Sequence, residues 1–125
     1  MMSYLIVFLG AGIGGTMRHG INLAVTRAFG THFPLGIMVI NVAGCLAMGL
    51  IAGWFALRGQ AGQEWRLFLT TGILGGFTTF SAFSLDAAVL WERGELGLAT
   101  LYVGGSVALS LAAVFAGLWV MRQVS

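Results

Sequence analysis

Apolar residues fill four long segments of the chain, and short polar connectors separate them. The segments cover about residues 3–29, 34–57, 66–91 and 96–121, with connectors at 27–33, 58–64 and 92–95. A helical bilayer crossing takes about 20 apolar residues, so each segment is long enough for one transmembrane helix. Pro34 favours a helix start at the second segment. The pattern predicts an all-α integral membrane protein with four transmembrane helices in a single domain, residues 1–125.

Composition supports this fold class and excludes several classes of function. Hydrophobic residues make up 58% of the chain and charged residues 8%, against roughly 25% charged residues in soluble domains. Four crossings leave no room for a soluble catalytic domain. The six basic residues are scattered arginines, so we expect no nucleic-acid partner. Cys45 is the only cysteine, and its apolar segment favours a buried, inert thiol.

The arginines are almost evenly divided between the two membrane faces. One face would carry Arg58, Arg66 and Arg122, and the other Arg27 and Arg93, with Arg18 undecided because it lies within the first segment. An excess of Lys and Arg normally orients a helical membrane protein, and here there is almost none. We therefore predict insertion in both orientations and an antiparallel homodimer. The alternative is a single topology set by effects other than charge.

The stretch GGFTTFSAFS, residues 75–84, interrupts the third apolar segment. Paired glycines and the threonines after them weaken a helix, so we predict a break at Gly75 and Gly76. Backbone that is not helical survives in a bilayer only when it is buried in protein or lines a cavity. Its free carbonyl oxygens would suit a small hard cation such as Na⁺. The alternative is an unbroken helix whose glycines permit a close crossing, as the spacing of Gly72 and Gly76 also allows.

Aromatic and hydroxyl side chains follow the predicted break. Phe80 and Phe83 are three residues apart and share one helix face. The positive edge of an aromatic ring can attract an anion without a full charge, although core packing is the commoner role. The same stretch adds four hydroxyl donors, which in a membrane helix often bond the local backbone instead. They are Thr78, Thr79, Ser81 and Ser84.

Other segments supply polar side chains at comparable depth. Asn41 carries an amide that would be costly to leave unpaired. Ser106 and Ser110 are four residues apart and align on one face of the fourth helix. Their alignment is equally consistent with a donor track and with hydrogen bonding between helices. Arg18 is the one arginine well inside a span, which suggests a functional role, with snorkelling to the interface as the alternative.

Several chemistries lack the residues they need. The sequence has no phosphate-binding loop and no Cys/His metal cluster, and Asp86 is its only carboxylate inside a span. Donors, aromatic edges and scarce charge favour passive movement of a small anion. The alternative is a small dual-topology exporter of organic cations, which needs a carboxylate on the first helix, where this chain has Arg18. A third possibility is an assembly subunit that carries no ion.

These features together resemble the Fluc, or CrcB, family of fluoride channels. The resemblance covers essentially the whole chain, and its third-helix motif is highly specific. It is carried by GGTMRH at 14–19, PLG at 34–36 with Asn41, TTGILGGFTTFSAFS at 70–84, and Ser106 with Ser110. It implies four-helix subunits, a dual-topology antiparallel homodimer with two pores, and a central structural Na⁺. The implied function is passive export of fluoride through the inner membrane.

The resemblance also implies a role for each candidate residue. Backbone carbonyls of Gly75 and Thr78 from both subunits would hold the Na⁺, and Arg18 would lie in the vestibule. The anion pathway would be lined by Asn41, Thr79, Phe80, Phe83, Ser106 and Ser110. The chain departs from the usual family pattern at three positions. Ile37 replaces a threonine, Ala82 replaces a serine or threonine, and Asp86 replaces a glutamate. The first two remove hydroxyls, which the resemblance places along the pore.

Overall fold

The structure is a computed structural model that describes residues 1–58 and 62–124, apart from the Arg58 side chain. Two long helices come first, α1 (Met2–Phe29) and α2 (Leu35–Arg58). The third segment is broken into two helices, α3 (residues 63–77) and α4 (Phe80–Glu92). Helix α5 (Leu96–Gln123) ends the fold. We use α3 for three consecutive stretches, Gln63–Arg66, the π-helical Leu67–Leu74, and Gly75–Phe77. The side chain of Arg58, one of the arginines counted above for the two membrane faces, lies outside the described part.

Three stretches in the described part of the chain are long and apolar enough to cross a membrane. They are Leu35–Leu57, Gln63–Glu92 and Leu96–Gln123. This confirms an all-α integral membrane protein. Helix α1 is as long as α5, at 28 residues each, but is not among these stretches. Its apolar run is interrupted by polar side chains such as Arg18 and His19, which lower its mean hydropathy.

Helices α1 and α3 cross with their backbones in contact. A Cβ atom on Gly10 would lie 2.8 Å from Gly72 Cα, and one on Gly76 would lie 2.5 Å from the Ala11 carbonyl oxygen. A Cβ on Gly14 would overlap the Ile73 carbonyl oxygen. Only glycine allows this approach, so the predicted role of small residues in close helix packing is confirmed here.

Helices α2 and α5 meet in the same way. A Cβ on Gly117 would lie 2.6 Å from the Leu46 carbonyl oxygen, and one on Gly49 would overlap the Val114 carbonyl oxygen. Gly44, farther toward the start of α2, is covered by the side chain of Thr78. Helix α2 is therefore fixed against α5 on one side and against the end of α3 on the other.

The third helix does break, but not at the paired glycines. Gly75 is helical, with φ −62° and ψ −38°, whereas Thr78 and Thr79 are extended, with φ −81° and −151°. The prediction of an unwound turn at Gly75 and Gly76 is therefore wrong by about three residues. Gly76 is used for the crossing with α1, which needs a helical backbone. The extended backbone falls where hydroxyl side chains can replace helical hydrogen bonds.

The buried interior is small, and much of the surface is apolar. Ile40, Leu90 and Tyr102 are the largest fully buried side chains. Large apolar side chains stand exposed along α1 and α5, among them Phe8 at 74% and Phe115 at 68%. An exposed apolar surface of this extent is expected where lipid or another membrane-embedded chain replaces water.

Candidate functional site

A cleft of about 240 Å³ lies beside the break, between α2, α4 and α5. It is open on one side. Its lining combines polar donors, aromatic rings and a thiol, and contains no charged residue. The lining residues are Asn41, Cys45, Thr78, Thr79, Phe80, Phe83, Ser106, Val107 and Ser110. All six residues that the sequence analysis assigned to an anion pathway thus meet in one cleft, although three different helices and the break supply them.

Asn41 clamps the break through its side-chain amide. Its Nδ2 donates to the Thr79 carbonyl oxygen at 3.0 Å, and its Oδ1 accepts the Thr79 backbone N–H at 2.8 Å. Both backbone groups of an extended residue at membrane depth are therefore paired, as a bilayer requires. An amide nitrogen has two N–H groups, so one donor remains beyond the clamp. Asn41 is a structural support of the break as well as a lining residue.

The break changes the hydrogen-bond partners of two carbonyl oxygens. In a continuous helix the Thr79 N–H would bond the Gly75 oxygen, but here it donates to Asn41. The Ala82 N–H would bond the Thr78 oxygen, but here it donates to Thr79 Oγ1 at 3.2 Å. Thr79 thus caps α4, and the carbonyls of Gly75 and Thr78 lose their helical partners.

The two phenylalanines of the cleft have unequal surroundings. Phe83 is 8% exposed and packs against Tyr102, with ring centroids 5.1 Å apart. Phe80 is 78% exposed, and its centroid lies 5.6 Å from that of Phe83 at an interplanar angle of 46°. Core packing explains Phe83 in part. It does not explain Phe80, whose ring stands at the edge of the cleft.

Ser106 differs from several threonines of the protein. Thr16, Thr70 and Thr100 each donate to the carbonyl four residues earlier, which is the usual arrangement in a membrane helix. Ser106 is 4% exposed, and its Oγ has no hydrogen-bond partner in the described part of the chain. A buried hydroxyl without a partner is costly, so this one calls for a ligand.

Sequence reasoning missed two residues of this region. Tyr102 is fully buried and donates to Asp86 Oδ2 at 3.4 Å. It lies four residues before Ser106, on the face that the serines already marked. Cys45 is half-buried rather than buried, and it lines the cleft one turn after Asn41. The same spacing of four residues was the available signal in both cases.

A second cavity of about 250 Å³ lies near the first connector, between α1, α2 and α4. Ile37, Ala82 and Asp86, the three positions at which the resemblance implies other side chains, all line it, and none of them lines the cleft. Tyr102 stands between the two cavities because it contacts Phe83 on one side and bonds Asp86 on the other. Hydroxyl side chains at positions 37 and 82 would therefore line the second cavity and not the wall of the cleft.

Arg18 and two of the four hydroxyl residues after the glycine pair lie elsewhere. Arg18 is half-buried in α1 and does not line the cleft, while Ser81 and Ser84 are exposed on α4. Within residues 1–58 and 62–124, no three His, Cys, Asp or Glu side chains come together as a metal site. A cation at the break would thus depend on backbone oxygens.

The chain matches, over residues 5–118, the family described as CrcB-like protein, Camphor Resistance (CrcB). A Nitrobacter hamburgensis protein named fluoride-specific ion channel FluC 2 is 60% identical over 124 residues, which cover 99% of this chain and all of the relative. A fluoride-specific ion channel FluC of Methylobacterium nodulans is 63% identical over 98% of both chains. One of Rhodopseudomonas palustris is 60% identical over 99% of this chain and 100% of its own.

Proposed function

The chain belongs to the CrcB-like family, and from this membership we propose that it is a fluoride channel of the cell's inner membrane and not an enzyme. The observation that carries the proposal is the identity of 60% or more to proteins named fluoride-specific ion channels, over essentially the whole chain. Fluoride enters cells from an acidic medium as uncharged HF and is trapped when HF dissociates in the less acidic cytoplasm. A passive channel lets the trapped ion leave.

The chemistry of the cleft suits fluoride. This anion is small and strongly hydrated, so a pathway must replace its water shell with donors at close range. Ser106 Oγ and the second N–H of Asn41 supply such donors, and the ring edges of Phe80 and Phe83 add positive potential. The cleft lining has no arginine, so no fixed positive charge would hold the ion tightly. Weak, multiple contacts favour passage over retention.

We further propose that each subunit crosses the membrane four times and pairs with an inverted copy. Four observations support this. Helix α1 has the length of a crossing at 28 residues, and the arginines favour neither orientation. The cleft is open on one side, and Phe80 stands 78% exposed at its edge. A second copy would cover this ring and enclose the open side of the cleft, which would give two pores in the dimer. Accessibility labelling that finds the termini of all molecules on the same side of the membrane would rule out insertion in both orientations.

A structural Na⁺ at the centre of this dimer fits the backbone at the break. The carbonyl oxygens of Gly75 and Thr78 have lost their helical partners, because Asn41 and Thr79 take the N–H groups concerned. Oxygen atoms are the ligands that hard cations prefer. Two carbonyls from each subunit would give four ligands. Replacing Na⁺ by a large organic cation during purification should then lower dimer stability, measured by size-exclusion chromatography after heating.

Arg18 completes the proposal as a vestibule residue. It lies outside the cleft, near the middle of α1, and a guanidinium there would raise the local concentration of anions at the entrance. Its replacement by glutamine should lower fluoride flux most at low ionic strength, because salt screens the attraction between the guanidinium and anions in the vestibule.

The test is fluoride efflux from proteoliposomes that contain the purified protein. Efflux is read with a fluoride electrode after a potassium ionophore is added, and chloride is tested in parallel. Fast release of fluoride without chloride is the expected result. Vesicles that hold folded dimer and release no fluoride would refute the proposal, and transport of an organic cation instead would favour the exporter.

A further inference from the structure

Cys45 lies in the wall of the cleft. Cys45 is half-buried and its thiol is free. It lies on the same face of α2 as Asn41, which is four residues earlier. Two other lining groups, Ser106 and Ser110, come from α5. A side chain of α2 thus shares the cleft with the donors of α5.

The wall that carries Cys45 has little freedom to move. Asn41 is bonded to both backbone groups of Thr79, Gly44 is covered by Thr78, and Gly49 lies against the backbone of α5. These contacts fix α2 on both sides of position 45, since interiors packed at this density do not yield easily. A group added to the sulfur would therefore occupy the cleft and would not turn α2 away from it.

A second observation indicates that the cleft holds a ligand. Ser106 is 96% buried, since only 4% of it is exposed, and its Oγ has no partner in the described residues. A buried hydroxyl of this kind is usually satisfied by a water or an ion. The thiol of Cys45 therefore shares a 240 Å³ space with a group that calls for a hydrogen-bond acceptor.

We propose that Cys45 is a modification site on the fluoride pathway, at which small thiol-reactive electrophiles block conduction. The inference rests on the proposed function. With an alkyl methanethiosulfonate, the thiolate sulfur of Cys45 attacks the sulfenyl sulfur. A new S–S bond forms, the bond between the two reagent sulfurs breaks, and methanesulfinate leaves with the electron pair. The product is a mixed disulfide whose alkylthio group fills part of the cleft.

The experiment uses methyl methanethiosulfonate on proteoliposomes containing the full-length protein. Labelling is followed by intact mass, and fluoride efflux is measured before treatment, after treatment and after reduction with dithiothreitol. We expect one methylthio group per subunit and a fall in efflux of about tenfold, equivalent to about 1.4 kcal/mol in barrier height. Reduction should restore the rate. The Cys45→Ala variant, compared with its own untreated rate, should not respond.

Four results would overturn the inference. They are absence of labelling in the folded protein, complete labelling with unchanged efflux, loss of efflux that reduction does not reverse, and an equal loss in Cys45→Ala. Failure of the proposed function is a separate result, because it would appear as absence of fluoride efflux before any reagent is added. In that case the intact mass still shows whether the reagent reaches the thiol of Cys45 in the folded protein.

Discussion

The two halves of the broken third helix differ in what their surfaces touch. Helix α3 lies backbone to backbone against α1, with Gly72 and Gly76 at the crossing. Helix α4 begins with Thr79 as its cap and turns Phe80 and Phe83 toward the cleft. In α3, glycines without side chains allow close packing against α1. In α4, aromatic side chains line the cleft. The break lets one membrane segment do both, because the extended backbone of Thr78 and Thr79 separates the two helices.

The difference is also visible in hydrogen bonding. Along α3 the backbone bonds itself, including a π-helical stretch in which the Gly75 N–H reaches the Thr70 carbonyl. At the start of α4, side chains from Asn41 and Thr79 replace backbone partners. Substitutions in α3 should therefore affect folding first, and substitutions around α4 should affect ion flux first.

The largest effect is expected from Gly76→Ala in α3. The Cβ of the new alanine would lie 2.5 Å from the Ala11 carbonyl oxygen. Overpacking of this kind typically destabilises a fold by about 1–3 kcal/mol. We expect loss of folded protein, measured by size-exclusion chromatography after heating. Gly12→Ala is the matched control because nothing lies within 4 Å of its Cβ. Equal stability of the two variants would contradict the proposed packing of α3.

Asn41→Asp should reduce flux more than it reduces assembly. The carboxylate still accepts the Thr79 N–H but cannot donate to the Thr79 oxygen, and its charge repels an anion nearby. A barrier raised by about 2 kcal/mol slows flux about thirtyfold. Proteoliposome efflux measures the rate, with the dimer fraction as control. Normal efflux with the carboxylate shown to be ionised would contradict the placement of Asn41 beside the pathway.

Phe80→Ile and Phe83→Ile separate the role of α4 in fluoride passage from its role in stabilising the fold. Both remove a ring edge from the cleft, and a loss of about 1 kcal/mol would slow fluoride efflux about fivefold. Phe83 is buried against Tyr102 whereas Phe80 is exposed, so only Phe83→Ile should also lower the melting temperature. Undiminished efflux in both variants would refute the pathway role of these rings.

Thr79→Val should have the smallest effect. It keeps the shape of the side chain but removes the oxygen that accepts the Ala82 N–H, and loss of an N-cap costs about 1 kcal/mol. We expect a modest fall in melting temperature and a smaller fall in efflux than in the phenylalanine variants. Thr79→Ser retains the cap and serves as the control. If the serine variant were as unstable as the valine variant, the cap would not be the cause.

Periodicity identified part of the site before the fold was known. Ser106 and Ser110 were paired by a spacing of four, and Phe80 and Phe83 by a spacing of three. Helical spacing does not depend on partners, so each pair shares one helix face, and packing of α4 and α5 brings both pairs to one cleft. The same rule applied to Asn41 would have given Cys45, and applied to Ser106 it would have given Tyr102.

The sequence by itself determined the fold class and the family, because apolar segment length, glycine spacing and the motif at 70–84 are local properties of the chain. Only the tertiary structure decided where the third helix breaks. The paired glycines predicted a break at Gly75, but contact with α1 keeps them helical, and Asn41, 38 residues before Thr79, pairs the extended backbone instead. Partners this distant in sequence are set by packing between helices, and no local pattern encodes them.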